Sequence, residues 1–531
     1  MFFINNVIKN SLSSLLLYLL FLGFFIVSCS NEITHTEKPN FILIMADDMG
    51  FSDIGYFGSK IETPNIDQLA RNGLVMTQFY NSGRCVPTRA SLLTGLYQHQ
   101  AGVGHMTDDK GYESYQGYLN NKAVTLAEAL QHGGYTTMMT GKWHLGEPEQ
   151  SWPQNRGFEH FYGVPKGGGI YFYPFLIDRN VMLNDKVVQV DSASFYSTDA
   201  FNDYAVRFLE EHRNSDSPFF LYVAHIAPHF PLQAPEEDIA KYHGTYCKGF
   251  HEYRRQRLER QKELGILPDD LKLSPPDERV KEWEKLSESE KDTLEKKMTV
   301  YAAQVDRMDQ GIGRILEKLR DIGEYDNTVV MFLSDNGAVS VDLDDWNIEG
   351  ANGPIGSRNS WEAYGASWGN VSNTPFRMYK RWVHEGGIAT PLIVHWPEEI
   401  RGQRINNQVG HVIDIMPTLL DLADVEYPMN YEDRKRLEPE GINLAPILKG
   451  GELTESRILF WEHEGNRAVR SGKWKLVSQY PENEWHLYNM EKDRTELNDV
   501  SNEHPQLVEN LINKYKKWAG RVGVISWQKI H

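Results

Sequence analysis

Asn40-Phe-Ile-Leu-Ile-Met-Ala46 is an apolar run of strand length that ends abruptly in two carboxylates, Asp47-Asp48. Its apolar residues are continuous rather than alternating, which is the pattern of a strand buried on both faces of a parallel sheet. Similar runs recur at 136–140, 218–224, 328–333 and 391–395. Between them lie helical patterns. Thr63-Pro64 opens one with a cap and a first-turn proline, and Gly73 closes it. Others fall at 125–132, 198–212, 287–319 and 414–423. Strand and helix alternating in this way predict an α/β fold, a large and mostly parallel sheet sandwiched by helices.

The texture changes toward both ends. Lys9, the apolar run 15–27 and Val27-Ser28-Cys29 have the order of an export leader. The run is short for a membrane span. A cysteine directly after Val-Ser resembles the bacterial lipoprotein box, so residues 1–28 are expected to be removed and Cys29 acylated. Such an anchor would hold the protein on a membrane, in the periplasm or at the outer cell surface. A polar linker, 29–38, then leads into the main domain, 39–452. From about 453 onward Arg467-Ala-Val-Arg-Ser-Gly-Lys-Trp-Lys-Leu-Val477 reads as a hairpin turning at Ser471-Gly472. With a short strand at 485–489 and an amphipathic helix at 506–519, it predicts a smaller antiparallel C-terminal subdomain, 453–531. The stretch 251–298 is dense in Arg, Lys and Glu and reads as a solvated helical insertion, with a recognition role as the alternative.

Composition narrows the function classes. The hydrophobic and charged fractions, 40% and 24%, are those of a globular protein. A net charge of −18 argues against nucleic-acid partners, which require a basic footprint. The three cysteines are Cys29, Cys85 and Cys247. A Cys85–Cys247 disulfide is conceivable in an exported chain. Neither cysteine is expected to form it, and Cys247 is expected to be an ordinary buried thiol.

The chemistry lies where the strands stop. Strand 40–46 runs into Asp47-Asp48, and strand 136–140 into Gly141-Lys142-Trp143-His144. Strand 218–224 runs into His225-Ile-Ala-Pro-His229, and strand 328–333 into Ser334-Asp335-Asn336-Gly337. Ligands of open α/β sheets bind beyond the carboxyl ends of the strands, so parallel strands would gather these clusters at one edge. Asp47, Asp48, Asp335 and Asn336 offer only oxygen, either a donor set for calcium or magnesium rather than zinc or simply turn-forming residues, with Asp335-Asn-Gly as a tight turn. His225 either supports the site or ends the strand. Cys85 opens another helical pattern, with Pro87 in its first turn and Arg89 one turn on. A helix N-terminus favours anions, and a reactive thiolate would fit there.

Arg84-Cys85-Val-Pro87-Thr-Arg89-Ala-Ser91-Leu-Leu-Thr94-Gly95 resembles the signature of the type I, formylglycine-dependent sulfatases, the arylsulfatase-like family of the alkaline phosphatase superfamily. Asp47-Asp48, Gly141 to His144, Ala227-Pro-His229, Ser334 to Gly337 and Lys380…Glu385-Gly386-Gly387 match further blocks of that family in order. One departure is Arg494, which stands where proline is common. The resemblance implies an alkaline-phosphatase-like fold and a maturation enzyme that oxidises Cys85 to formylglycine. It implies one calcium ion held by Asp47, Asp48, Asp335, Asn336 and the modified Cys85. It assigns Arg89 to steadying the aldehyde hydrate, Lys142 and Lys380 to the sulfate oxygens, His144 to the hydrate proton and His229 to protonating the leaving alkoxide. The expected substrate is a sulfated small molecule or glycan, most plausibly a carbohydrate outside the cytoplasm. The competing functions are a phosphonate or phosphate monoester hydrolase of the same fold and a non-catalytic binder of sulfated glycans. The Gly167-Gly-Gly-Ile-Tyr-Phe-Tyr173 loop and the 361–368 segment either line a sugar pocket or simply pack.

Overall fold

The computed structural model describes residues 38–431, 434–454 and 457–531. The expected leader, the acylation at Cys29 and all of the linker but Lys38 lie outside the described residues. Residues 38–531 pack as one compact unit. Among the described residues no helix is long and apolar enough to cross a membrane.

Ten strands form the main sheet. In chain order they are β1 (Asn40–Ala46), β2 (Leu74–Met76), β3 (Thr136–Lys142), β4 (His160–Val164), β5 (Met182–Leu183), β6 (Lys186–Val187), β7 (Phe219–Ala224), β8 (Thr328–Ser334), β9 (Leu392–His395) and β10 (Arg404–Asn406). Their order across the sheet is β10-β2-β9-β8-β1-β7-β3-β4-β5-β6. The central strands β8, β1, β7, β3 and β4 run parallel. β9 departs from the expected parallel direction, pairing antiparallel with both β8 and β2. A strand covered on both faces has the same continuous apolar sequence whichever way it runs, so the sequence carried no sign of direction.

The side chains of β1 divide between two cores. Ile42, Ile44 and Ala46 face one side with helices α1 (Pro64–Arg71), α4 (Ser197–His212) and α6 (Glu288–Ile322). Phe41, Leu43 and Met45 face the other with α2 (Cys85–Thr94), α3 (Leu126–His132) and α8 (Ile415–Leu422). This two-sided cover is the predicted sandwich. Reciprocal capping boxes, Thr125 with Glu128 and Ser287 with Glu290, start α3 and α6 where two of the helical patterns begin.

The charged 251–298 stretch is less solvated than its composition suggests. Its helix α5 (Phe250–Glu263) buries Arg254, Arg257 and Gln261. Arg257 Nη1 lies 2.8 Å from Asp53 Oδ1, so part of that charge neutralises a buried carboxylate. Cys247 is also a correction, because it is exposed in the turn before α5, and both it and Cys85 are free thiols. At the C-terminal end, β11 (Ile458–His463), β12 (Asn466–Ser471), β13 (Trp474–Ser478) and β14 (Trp485–Asn489) form the expected antiparallel sheet. The hairpin turns after Ser471, where Gly472 adopts φ 56°. Helix α7 (Gly365–Ser372) is buried along its whole length, and helix α9 (Pro505–Val522) buries Leu511, Tyr515, Trp518 and Val522.

Candidate active site

Strand register sets the site. Ala46 pairs with Ser334, Met45 with Ala224, and Gly141 with Ala224, so β1, β8, β7 and β3 end at one level. Asp47, Asp335, His225 and Lys142 therefore emerge together. Gly141 is required where β3 passes β7: a Cβ there would sit 1.9 Å from Ala224 O, and its φ is +98°. Asp48 turns the chain with φ 65°, and its amide donates to Asp335 Oδ1 at 3.2 Å.

Side chains from the separate clusters then meet. Lys142 Nζ donates to Asp47 Oδ2 and Lys380 Nζ to Asp48 Oδ1, both at 2.5 Å. Arg89 Nη2 donates to Asp335 Oδ2 at 2.8 Å and lies 3.8 Å from Asp47 Oδ2. Asn336 Nδ2 donates to Asp48 Oδ1 at 2.7 Å. His229 Nδ1 donates to Phe230 O at 2.6 Å, which leaves Nε2 facing Asp48 Oδ2 at 3.4 Å. His144 is half-buried, and its Nδ1 has no hydrogen-bond partner. All of the site residues expected from the sequence thus converge, with Cys85 buried at the head of α2. The helix begins at Cys85 itself, with Arg84 as the extended cap, rather than just after it. Cys85 is an electrostatic neighbour of both Lys380 and Arg89.

Burial acts against the charged form of every group here, and the neighbours decide the outcome. It drives Asp335 upward with help from Asp47, despite Arg89 and Lys142. It would raise Asp47 too, but Lys142, His229, Arg89 and Lys380 hold that carboxyl well below its ordinary range. His144 is pushed well down, first by burial and then by Lys142 and Arg89. Burial also lowers His229, opposed by Asp48 and Asp47. His225 is buried with neither ring nitrogen hydrogen-bonded, and desolvation takes it down to about 3. It stands at the edge as a neutral ring and joins none of the ion pairs.

The donor set fits a hard cation. Asp47 Oδ1, Asp48 Oδ2 and Asn336 Oδ1 are buried oxygens with no hydrogen-bond partner. Ligand atoms of Asp47, Asp48 and His229 lie within 4.8 Å of one another. Buried acceptors left unpaired are unfavourable, and a divalent ion with oxygen ligands would satisfy them.

Sequence reasoning left the roof of the site open between two readings. A Cβ on Gly168 would stand 3.5 Å from Asp47 Oδ2 and 3.7 Å from Lys142 Nζ, so the Gly167 loop covers the charged cluster. Tyr171 Oη donates to His229 O at 2.7 Å and fixes the loop to the histidine. The three consecutive glycines were the available signal: a Cβ on Gly167 would stand 2.9 Å from His144 Nε2, and Gly169 adopts φ +86°.

The family models described as "Sulfatase" and as "N-sulphoglucosamine sulphohydrolase, C-terminal" match residues 39–425 and 376–519. This chain belongs to the sulfatase family. An uncharacterised sulfatase of Schizosaccharomyces pombe is 35% identical over 93% of this chain and 96% of its own. The arylsulfatase of Klebsiella aerogenes is 35% identical over 77% of this chain and 92% of its own. Among solved structures, Ps i-CgsB in complex with k-i-k-neocarrahexaose superposes with a TM-score of 0.68 at 27% identity, covering 91% of this chain and 93% of that one. The sulfatase described here is an enzyme that hydrolyses sulfate esters, built on a large mixed, mostly parallel sheet with a four-stranded C-terminal sheet.

Proposed function

We propose that this sulfatase desulfates carbohydrates outside the cytoplasm, with a formylglycine made from Cys85 by a maturation enzyme and one calcium ion. The convergence of Lys142, Lys380, Arg89, His144 and His229 around the buried Cys85 carries the reading. Asp47, Asp48, Asp335 and Asn336 would hold the cation together with residue 85, and it supplies Lewis-acid polarisation of a sulfate oxygen. Formylglycine would supply, as its hydrate, a hydroxyl oxygen as nucleophile. The ammonium groups of Lys142 and Lys380 bind the sulfate oxygens as negative charge builds on them. Arg89 orients Asp335 and fixes the floor of the site. His144, kept neutral by its surroundings, takes a proton at a ring nitrogen. His229 gives its Nδ1 hydrogen to Phe230 O, so it protonates the leaving oxygen from Nε2 as the imidazolium that Asp48 favours, the step that matters most for a sugar alkoxide. The leader-like sequence of residues 1–28 and the Val27-Ser28-Cys29 box support export to the periplasm or outer surface with Cys29 acylated.

Sulfate release from an aryl sulfate, beside matched phosphate and phosphonate esters, tests this. The wild type is co-expressed with a formylglycine-generating enzyme and compared with Cys85→Ala. Sulfate release confined to the wild type is the expected result, and preferential phosphonate turnover would overturn it. Stripping with a chelator and refilling with calcium or magnesium identifies the ion by the melting temperature it restores.

A further inference from the structure

An exposed indole stands next to the proposed acid. Trp346, in the loop after β8, is 51% exposed, one of three large apolar side chains left exposed among the described residues. Its ring meets Phe230 edge-on with centroids 5.9 Å apart. Phe230 in turn lies against His229, centroids 4.1 Å apart. Trp361 flanks Trp346 at 6.5 Å, and its buried indole N–H has no hydrogen-bond partner. A Cβ on Gly169 would lie 3.7 Å from Trp361, one residue along from the Gly168 that covers Asp47 and Lys142. The aromatic rings therefore continue, contact by contact, from solvent to the charged floor.

The loop around Trp346 is held in place. Leu343 is buried, and Ile348 packs with Trp361 in the same small apolar cluster. Of the apolar side chains in this loop the indole alone is exposed, and with the partly buried Phe230 it makes a continuous aromatic surface beside the site. A flat ring face suits a partner with a flat apolar face. Exposed Asp342, Asp344, Asp345 and Glu349 share the loop, and their field repels an anionic polymer.

We propose that Trp346, backed by Phe230, is the subsite for the pyranose ring that carries the sulfate ester, stacking on its apolar face while His229 reaches the ester oxygen. The proposal rests on the sulfatase reading above, in which His229 serves the leaving group. Trp346 is a specificity-determining residue here and takes no part in the bond-breaking step.

The mature enzyme and its Trp346→Ala and Trp346→Phe variants are assayed with 4-methylumbelliferyl sulfate, whose flat ring occupies the same side of the ester. Inorganic sulfate serves as a competitive inhibitor that reports on the sulfate pocket of Lys142, Lys380 and the cation, and not on Trp346. Trp346→Ala should raise KM about tenfold with kcat within about twofold, the size of one lost ring contact. Trp346→Phe should recover most of that loss, and the inhibition constant for sulfate should stay within about twofold in both variants. An unchanged KM in Trp346→Ala would overturn the proposal. So would a KM that rises together with the sulfate constant, which would mean a deformed sulfate site. Absence of sulfate release by the wild type would instead strike the sulfatase reading beneath it.

Discussion

Glu385→Gln should lower the melting temperature by about 3 °C at neutral pH, with a loss that fades in acid. Glu385 is fully buried five residues after Lys380, and accepts from Lys475 Nζ at 2.9 Å, Arg494 Nε at 3.0 Å and Tyr80 Oη at 2.9 Å. Glu496 shares Lys475 at 2.8 Å. Burial would raise Glu385, but Lys475, Arg494 and Arg470 bring it down to about 2 from an ordinary 4.5. A carboxyl moved that far contributes about 3 kcal/mol. Breaking a buried ion pair from one side costs about 3–5 kcal/mol, a compatible figure. Unfolding entropy near 2.1 cal/mol/K per residue gives about 1 kcal/mol/K for a unit of this size, hence the few degrees. The sign follows from the depressed value: the contribution is complete above the unfolded 4.5 and is lost as pH falls from there toward 2. Paired calorimetric scans of the two proteins from neutral pH to acid check this. Melting within about 1 °C of wild type at neutral pH, or a gap that widens in acid, would refute the reasoning.

Three further outcomes follow from single contacts. Gly141→Ala places a methyl 1.9 Å from Ala224 O at φ +98°, so soluble expression should collapse or stability fall by more than about 3 kcal/mol, read by denaturant titration. Cys247→Ser should leave stability within about 0.5 kcal/mol and sulfate release unchanged, because that thiol is exposed and free. Lys380→Ala should lower kcat by about 10²–10³ in steady-state assays while the fold persists, since among the described residues its side chain hydrogen-bonds to Asp48 alone.

The architecture was legible because fully buried strands announce themselves as continuous apolar runs, and because the polar residues after them stand at one level once the strands are parallel. The direction of β9 was not, since burial on both faces erases the distinction. Charge in a sequence does not say whether it meets solvent or a buried partner, and so Arg257 on Asp53 could not be read from the 251–298 composition. The same holds for Arg494: its departure from the family pattern becomes intelligible only when it pairs with Glu385, over a hundred residues away, and lies over the rings of Phe376 and Phe51. The aromatic contacts of Phe230, Trp346 and Trp361 join positions far apart in the chain, and neither periodicity nor spacing places them together.

The central claim is that residue 85 works as formylglycine. The measurement that meets it most directly is sulfate release per molecule plotted against the fraction of the Cys85 peptide whose mass shows a thiol converted to an aldehyde, across preparations with graded amounts of the maturation enzyme. The account predicts a straight line through the origin. Equal turnover by protein that retains the Cys85 thiol would contradict it.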